Sequence, residues 1–456
     1  MPPGTPTAPA PAATTSRLLL AVDVLLASRA LYGFLKSYFR WRLERQTARE
    51  RQAAAVREQR ERQSRRPVRI YLDGCFDLMH YGHANAIRQA ASLGDELVVG
   101  VCSDAEITCH KGPPVMAEEE RYEAVEAVKW VDQVIRGVPY LVTAEFLDKL
   151  VREYHIDYVV HGDDPCIGAD GRDVYEAVKR ADKFRTIART EGVSSTDIVG
   201  RMLLCTTSHH LPRPSSMDGE MANRHRGVED KSASPDAHVT SDAGERASRA
   251  NCSTDTAVSA YISPRTSSFL PTTRRLMQFS SGRKPQPGDR VVYADGAWDM
   301  FTVAHIRLLK RCRELGDFVL VGLHDDYTVN QHRGRNYPIL NLHERALSVL
   351  SCRHVDEVIL GAPWKVTEDM IRTMSISLVV HGTHYDELSV NAPADDPYEV
   401  PRRLGIYREV ESASDLSVPR IIERIVANRD RFVEKQRRKS AQEQAYYQNK
   451  EHIEEL

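Results

Sequence analysis

Apolar and polar positions along the chain follow two alternating periods. From residue 68, VRIYLDG, ELVVGVCS at 96–103, QVIRG at 133–137 and DYVVHG at 157–162 are short apolar runs of the kind that form buried strands. Between them, HANAIRQAASLG at 83–94, RYEAVEAVKWV at 121–131 and TAEFLDKLVREY at 143–154 space their apolar residues as helices do. Strands alternating with helices of this length predict a parallel sheet covered on both faces.

The pattern then repeats. YLDGCFD at 71–77 matches YADGAWD at 293–299, and LGDELVVGV at 93–101 matches LGDFVLVGL at 315–323, both displaced by 222 positions (71 to 293, 93 to 315). Lys111-Gly112 meets Arg333-Gly334, Arg121 meets Arg345, WVDQVIRGVPY meets HVDEVILGAPW, and YVVHG at 158–162 meets LVVHG at 378–382. Similarity that persists in order through so many segments is duplication of a whole domain. The predicted architecture is α/β, with two tandem doubly wound, Rossmann-like parallel-sheet domains at 68–204 and 288–430. Residues 205–287 between them are rich in Ser, Asp, Arg, Thr and Ala without sustained period, which predicts disorder. FLPTTRRLMQFS at 269–280 is apolar enough to dock on a domain. Residues 431–456 read as a charged, solvated helix.

Composition narrows the class. A net charge of −2 gives no whole-chain attraction to nucleic acid, and eight cysteines scattered without a CxxC fit reduced thiols. Residues 1–67 depart from this. RLLLAVDVLLASRALYGFLKSYF, from Arg17 to Phe39, has about the length of one membrane span, although Asp23, Arg29 and Lys36 interrupt it. From Arg40 to Arg69 there are eleven arginines against four glutamates, a flank that stays cytoplasmic under the positive-inside rule. The segment predicts a membrane anchor with the remaining chain in the cytosol; an amphipathic helix packed on protein and an organelle transit segment are its alternatives.

Candidate chemistry gathers where the first strand ends. GCFDLMHYGH places His80 and His83 three apart at a predicted helix start, beyond the carboxyl end of a parallel strand, where open α/β sheets bind ligands. Free N–H groups and the positive dipole end suit phosphate there. Two imidazoles aimed at one point would neutralise charge on a leaving pyrophosphate, and Gly82 would let a nucleotide approach the backbone. Zinc ligation, for which no third ligand stands nearby, and a purely structural cap are the competing readings.

GCFDLMHYGH, KGPP, HGDD and RTEGVSSTDIVGRM together resemble the cytidylyltransferase family of the HxGH nucleotidyltransferase superfamily. With the duplication and FLPTTRRLMQFS, the chain is similar to the ethanolamine-phosphate branch of plant and algal type. That resemblance implies transfer of CMP from CTP, with Mg²⁺, to phosphoethanolamine for phosphatidylethanolamine synthesis. It also implies attachment at the mitochondrial outer membrane or endoplasmic reticulum. It implies that Gly74, Cys75, Phe76 and Asp77 line the nucleotide site, that His80 and His83 contact the triphosphate, and that Lys111 reaches both substrates' phosphates. Arg121 would be an anion or loop-orienting contact, His161, Gly162, Asp163 and Asp164 would approach base and ribose, and Arg189, Ser194, Ser195 and Thr196 would bind the outer phosphates. Within the residues' own reading, Arg121 could be a solvated helix arginine, the serine run an N-cap and the two aspartates turn formers. A cytidylyltransferase for phosphocholine or glycerol 3-phosphate, and a non-catalytic CTP-binding scaffold, remain alternatives.

The second copy is degenerate. Ala297 and Trp298 replace Cys75 and Phe76; Thr302, Val303 and Ala304 replace His80, Tyr81 and Gly82, leaving His305; Arg333 replaces Lys111 and His381 matches His161. Val418-Pro419 fall opposite Ser195-Thr196, removing a hydroxyl and an N–H. The family usually keeps both motifs, so this departure predicts a second domain retained for packing or regulation. The two domains could pack as an internal pseudo-dimer.

Overall fold

The computed structural model describes Arg40, Arg45, residues 66–204 apart from 165, 167–170, 172 and 191, residues 273–383, and residues 396–434. The predicted anchor, most of its basic flank, the linker at 205–272 and the tail from 435 lie outside the described residues. Among the described residues no helix is long and apolar enough to cross a membrane.

The first repeat runs β1 (Arg69–Gly74), α1 (Tyr81–Ala91), β2 (Glu96–Cys102), α2 (Asp104–Lys111), α3 (Glu118–Glu126), β3 (Gln133–Val138), α4 (Ala144–Arg152), β4 (Tyr158–Gly162), α5 (Glu176–Arg180), β5 (Phe184–Ile187) and α6 (Ser195–Leu204). After α7 (Thr273–Phe279), the second repeats the order as β6 (Val291–Gly296), α8 (Val303–Leu315), β7 (Phe318–Leu323), α9 (Asp326–Arg333), α10 (Leu342–Leu350), β8 (Glu357–Leu360), α11 (Glu368–Thr373), β9 (Ile376–Gly382), α12 (Glu399–Arg403), β10 (Tyr407–Val410) and α13 (Val418–Val426). Each repeat forms one five-stranded sheet, β3-β2-β1-β4-β5 and β10-β9-β6-β7-β8, in which every pairing is parallel. Successive β1 residues point to opposite faces, so Ile70 and Leu72 enter one apolar layer and Tyr71 the other. Chain order reverses between β1 and β4, which opens the ligand crevice beyond their carboxyl ends.

The first helix starts at Tyr81, with the His80 side chain as its cap, as expected of a helix start at the histidine pair. Lys111 closes α2, which ends at Gly112 with φ of 80°. One local expectation is corrected. The helix expected to reach Val131 stops at Glu126, because the backbone beyond it is claimed by the second repeat.

There, Val128 and Cys352 form an antiparallel bridge. The Lys129 N–H donates to Ser351 O (2.9 Å) and the Arg353 N–H to Ala127 O (2.8 Å). Cys352, Ser351 and Arg353 are the repeat counterparts of Val128, Ala127 and Lys129, each 224 positions on. The same reciprocity governs the charged contacts. Arg201 of α6 forms a bidentate pair with Glu344 of α10 (2.7 and 3.0 Å), and its counterpart Arg424 of α13 does so with Glu120 of α3 (2.7 and 2.9 Å). One apolar cluster takes in Tyr81, Met116 and Met202 from the first repeat and Met300, Ile339 and Ile425 from the second. The docking expected of 269–280 holds for its described part: Phe279 of α7 is fully buried, its ring edge-on to Trp130 (5.1 Å) and its carbonyl accepting from Lys129 Nζ.

Candidate active site

The turn after β1 brings two histidines together. Phe76 and Leu78 adopt left-handed backbone (φ 51° and 49°), an arrangement repeated at Trp298 and Met300, so it is a property of the duplicated turn. It delivers His80 to the N-cap of α1, where the Gly82 N–H donates to His80 Nδ1 (3.1 Å). An accepting Nδ1 leaves the proton of the neutral ring on Nε2. The His83 ring lies 4.0 Å from that of His80 and edge-on to Phe76 at 5.7 Å. Packing also requires Gly82: a Cβ there would stand 2.8 Å from both the His80 ring and Val193. The Phe76 ring leans on Gly74 in the same way, 3.2 Å from where a Cβ would be.

Several residues expected to touch nucleotide hold the walls through bonds within the protein. The Asp77 carboxylate accepts from the N–H groups of Val115 (3.0 Å) and Met116 (2.9 Å), drawing the segment after Lys111-Gly112 onto the turn. Arg121, 1% exposed, donates to the carbonyls of Cys75, Cys102 and Met116 and pairs with Asp104 at 2.7 Å. Its donors point inward, in keeping with the loop-orienting expectation, and it is not a solvated arginine. Arg345 does the same in the second repeat, bonding Leu340, Ala297, His324 and Asp326. The Ser194 hydroxyl caps α6, accepting from the Asp197 N–H (3.1 Å), and the Ser195 hydroxyl donates to Asp77 O (2.8 Å). Thr196, the third residue of this run, is half-buried.

On the β4 side, His161 Nδ1 donates to Gly162 O (3.2 Å), since a carbonyl only accepts, and its ring lies 4.7 Å from Tyr175. Asp163 accepts from the Arg189 N–H (2.9 Å), and the Arg189 guanidinium lies 3.9 Å from the Asp164 carboxylate, joining the β4 and β5 ends. A Cβ on Gly162 would meet that Asp164 carboxylate at 2.6 Å. Lys111 projects over the Tyr140 ring (5.0 Å), which also stacks on His110 (4.6 Å) and reaches toward Cys166 Sγ (3.9 Å).

Tyr140 and the pair in which Tyr175 donates to Asp73 (2.6 Å) are absent from the sequence reading. Burial raises the Asp73 carboxyl above its ordinary range, partly opposed by the Tyr175 bond. Their signal lay in the duplication: Tyr398 donates to Asp295 (2.7 Å) in the second repeat, and DVYEAVKR meets DPYEVPRR. Among the described residues no three His, Cys, Asp or Glu side chains are grouped as metal ligands, so the zinc reading gains no third ligand.

In the second repeat the histidine pair is gone, while the arrangement at the end of β9 persists. His305 Nδ1 accepts from the Thr302 N–H (3.0 Å), folding back to cap its own helix. Ala297, Trp298 and Phe301 are buried, with the Trp298 indole donating to Gly322 O (2.9 Å). Arg333 ends α9 as Lys111 ends α2. His381 keeps its bond to Gly382 O (2.7 Å) and its place beside Tyr398 (5.2 Å), and burial lowers its pKa. Ser417 makes no side-chain cap bond, and proline occupies the first turn of α13.

Comparison with known proteins agrees with the duplication. The cytidylyltransferase-like family matches twice, at residues 71–201 and 293–421. The ethanolamine-phosphate cytidylyltransferase of Arabidopsis thaliana is 50% identical over 392 residues, 85% of this chain and 87% of that protein. The Dictyostelium discoideum protein of the same name is 49% identical over 83% of this chain and 96% of its own length. By contrast, choline-phosphate cytidylyltransferase 2 of Arabidopsis thaliana is 48% identical over only 31% of this chain and 46% of that protein. With both repeats matched, and relatives similar across nearly their whole length, the chain belongs to the ethanolamine-phosphate cytidylyltransferase family.

Proposed function

We propose that the first repeat transfers CMP from CTP to phosphoethanolamine, releasing pyrophosphate and supplying CDP-ethanolamine for phosphatidylethanolamine synthesis. The observation that carries this is the paired histidines at the start of α1, 4.0 Å apart, in a turn tied by Asp77 to the start of α6. A phosphate oxygen of phosphoethanolamine attacks the α-phosphorus of CTP, a P–O bond forms, and the bond to the β-phosphate breaks. His80, which carries its proton on Nε2, and His83 stabilise the charge that develops on the leaving pyrophosphate. The N–H groups at the start of α6 hold the outer phosphates, and Lys111, at the end of α2, draws the two substrates' phosphates together. Asp77 and Arg121 keep these walls in place. Catalysis is then a matter of position and charge, with no covalent enzyme intermediate. Mg²⁺ fits as a companion of CTP bound mainly by phosphate oxygens, the usual habit of that ion.

The substrate is phosphoethanolamine in preference to phosphocholine because the match to the ethanolamine enzymes spans both repeats, whereas that to the choline enzyme is confined to 31% of the chain. The second repeat acts as the structural partner of the first, an internal pseudo-dimer, which the reciprocal contacts of Val128–Cys352 and the two Arg–Glu pairs support. Residues 17–39 anchor the enzyme to the mitochondrial outer membrane or endoplasmic reticulum with its repeats in the cytosol, a reading supported by the apolar run and the arginine-rich flank after it.

Pyrophosphate release from CTP, measured with phosphoethanolamine, phosphocholine and glycerol 3-phosphate side by side, tests the activity. Phosphoethanolamine should be used fastest, and His83→Ala should abolish release. Faster use of either other acceptor would replace the substrate assignment, and no release with any would favour a non-catalytic scaffold.

A further inference from the structure

The second repeat has lost its own phosphate-handling groups, yet two of its side chains reach the walls of the first site. One contact runs along α6. Its first turn sits at the site, where the Ser195 hydroxyl holds Asp77 O. Two turns on, Arg201 crosses into the second repeat, its side chain 1% exposed, and donates to both oxygens of Glu344 (3% exposed) and to Ile339 O (3.2 Å). Asn336 of the second repeat donates to Arg201 O (2.9 Å), so backbone and side chain of α6 are both gripped from that side. Glu344 is itself fixed, accepting from the Asn341 N–H (2.9 Å).

The other contact runs the opposite way. Arg424 of α13 donates to both oxygens of Glu120 and to Val115 O (3.3 Å). Val115 follows Lys111-Gly112-Pro113-Pro114, and its N–H is the one the Asp77 carboxylate holds. Arg424 therefore anchors the segment leading away from the site lysine. The two contacts are counterparts under the duplication, but the first site lies at the inner end of both.

We propose that Glu344 and Arg424 of the second repeat are positioning residues for nucleotide binding in the first: Glu344 sets the α6 start, Arg424 sets the segment after Lys111, and this explains why a degenerate copy is kept. The inference rests on the reading of that site as one for CTP. A buried arginine with one anionic partner leaves little freedom, because stripping the partner exposes an uncompensated charge to an apolar interior. Rotation of α6 about the Arg201 contact moves the N–H groups that face the outer phosphates. Those groups meet CTP but not CMP, so the effect should discriminate between the two nucleotides.

The test uses the full chain. In Glu344→Gln and Arg424→Gln, the KM for CTP should rise by about tenfold or more, the order expected of small misplacements transmitted to a site. CMP affinity, read by calorimetry or competition, should stay within about twofold, because CMP lacks the outer phosphates. The charge-reversed pair Arg201→Glu with Glu344→Arg should recover part of the lost CTP affinity. Equal weakening of CTP and CMP, or an unchanged KM for CTP in both variants, would overturn the proposal. If Glu344→Gln fails to fold, Arg424→Gln decides it, since Arg424 is 40% exposed and its replacement should leave the protein folded. A parent enzyme that released no pyrophosphate would instead refute the reading of the site, so the two failures are distinct.

Discussion

Gly82→Ala isolates the geometry of the paired histidines from their chemistry, because it adds one methyl group and removes nothing. The new Cβ would stand 2.8 Å from His80 Cε1, 2.9 Å from His80 Nδ1 and 2.8 Å from Val193 Cγ1. Carbon atoms pack at about 3.5–4.0 Å, so the ring and the valine must each retreat by roughly 0.7 Å or more. His80 is 5% exposed and bonded through Nδ1 to the Gly82 N–H. It cannot retreat without giving up that bond and turning its Nε2 away from the site. Displacement of a catalytic group by about 1 Å costs up to ~100-fold, so kcat/KM from pyrophosphate release should fall by one to two orders of magnitude. Stability should change far less. Alanine gains about 1 kcal/mol over glycine in a helix, while overpacking costs ~1–3 kcal/mol. The net loss in chemical denaturation should therefore be no more than about 2 kcal/mol. The second repeat contains the control: at the matching position Ala304 follows Thr302, the residue that takes the place of His80. Adding His80→Thr to Gly82→Ala should restore stability and leave the enzyme inactive. Retention of kcat/KM within about threefold in the single variant would refute the account of Gly82.

Two further outcomes follow from particular contacts. His305→Ala should leave pyrophosphate release within about twofold of the parent while costing ~0.5–2 kcal/mol in unfolding free energy, because that histidine caps its own helix; a tenfold loss of activity in the folded variant would mean that the second repeat takes part in turnover. Lys129→Met should remove a pH dependence. Burial pulls the Lys129 amine down to about 8 from the ordinary lysine value of 10.5, against the raising influence of Cys352, Glu357 and Asp356. Between those values the unfolded chain binds the proton and the folded one does not, so the parent's stability gains a contribution as pH rises through the window. The difference between parent and variant in urea denaturation should shrink from pH 8 to 10.5, and a constant difference would refute the assignment.

The apolar periods and the internal repeat carried most of the architecture, because a buried parallel strand and a half-buried helix each impose a spacing that any one segment reveals. The duplicated turn, the histidine pair and the loss of that pair in the second copy were equally legible, since each is a contiguous stretch. What a side chain faces was not. The partners of Asp77 and Arg121 lie outside any contiguous stretch or local period; only the folded chain turns Asp77 onto the Val115 and Met116 N–H groups and encloses Arg121 among carbonyls. Tyr175, 102 positions from Asp73, and Glu344, 143 positions from Arg201, are pairs that no local period connects. By itself the sequence determined two α/β repeats and which of them kept the paired histidines. Tertiary structure alone decided that the repeat without them grips both walls of the other's site, because reciprocal contacts between duplicated surfaces exist only once both domains have folded and met.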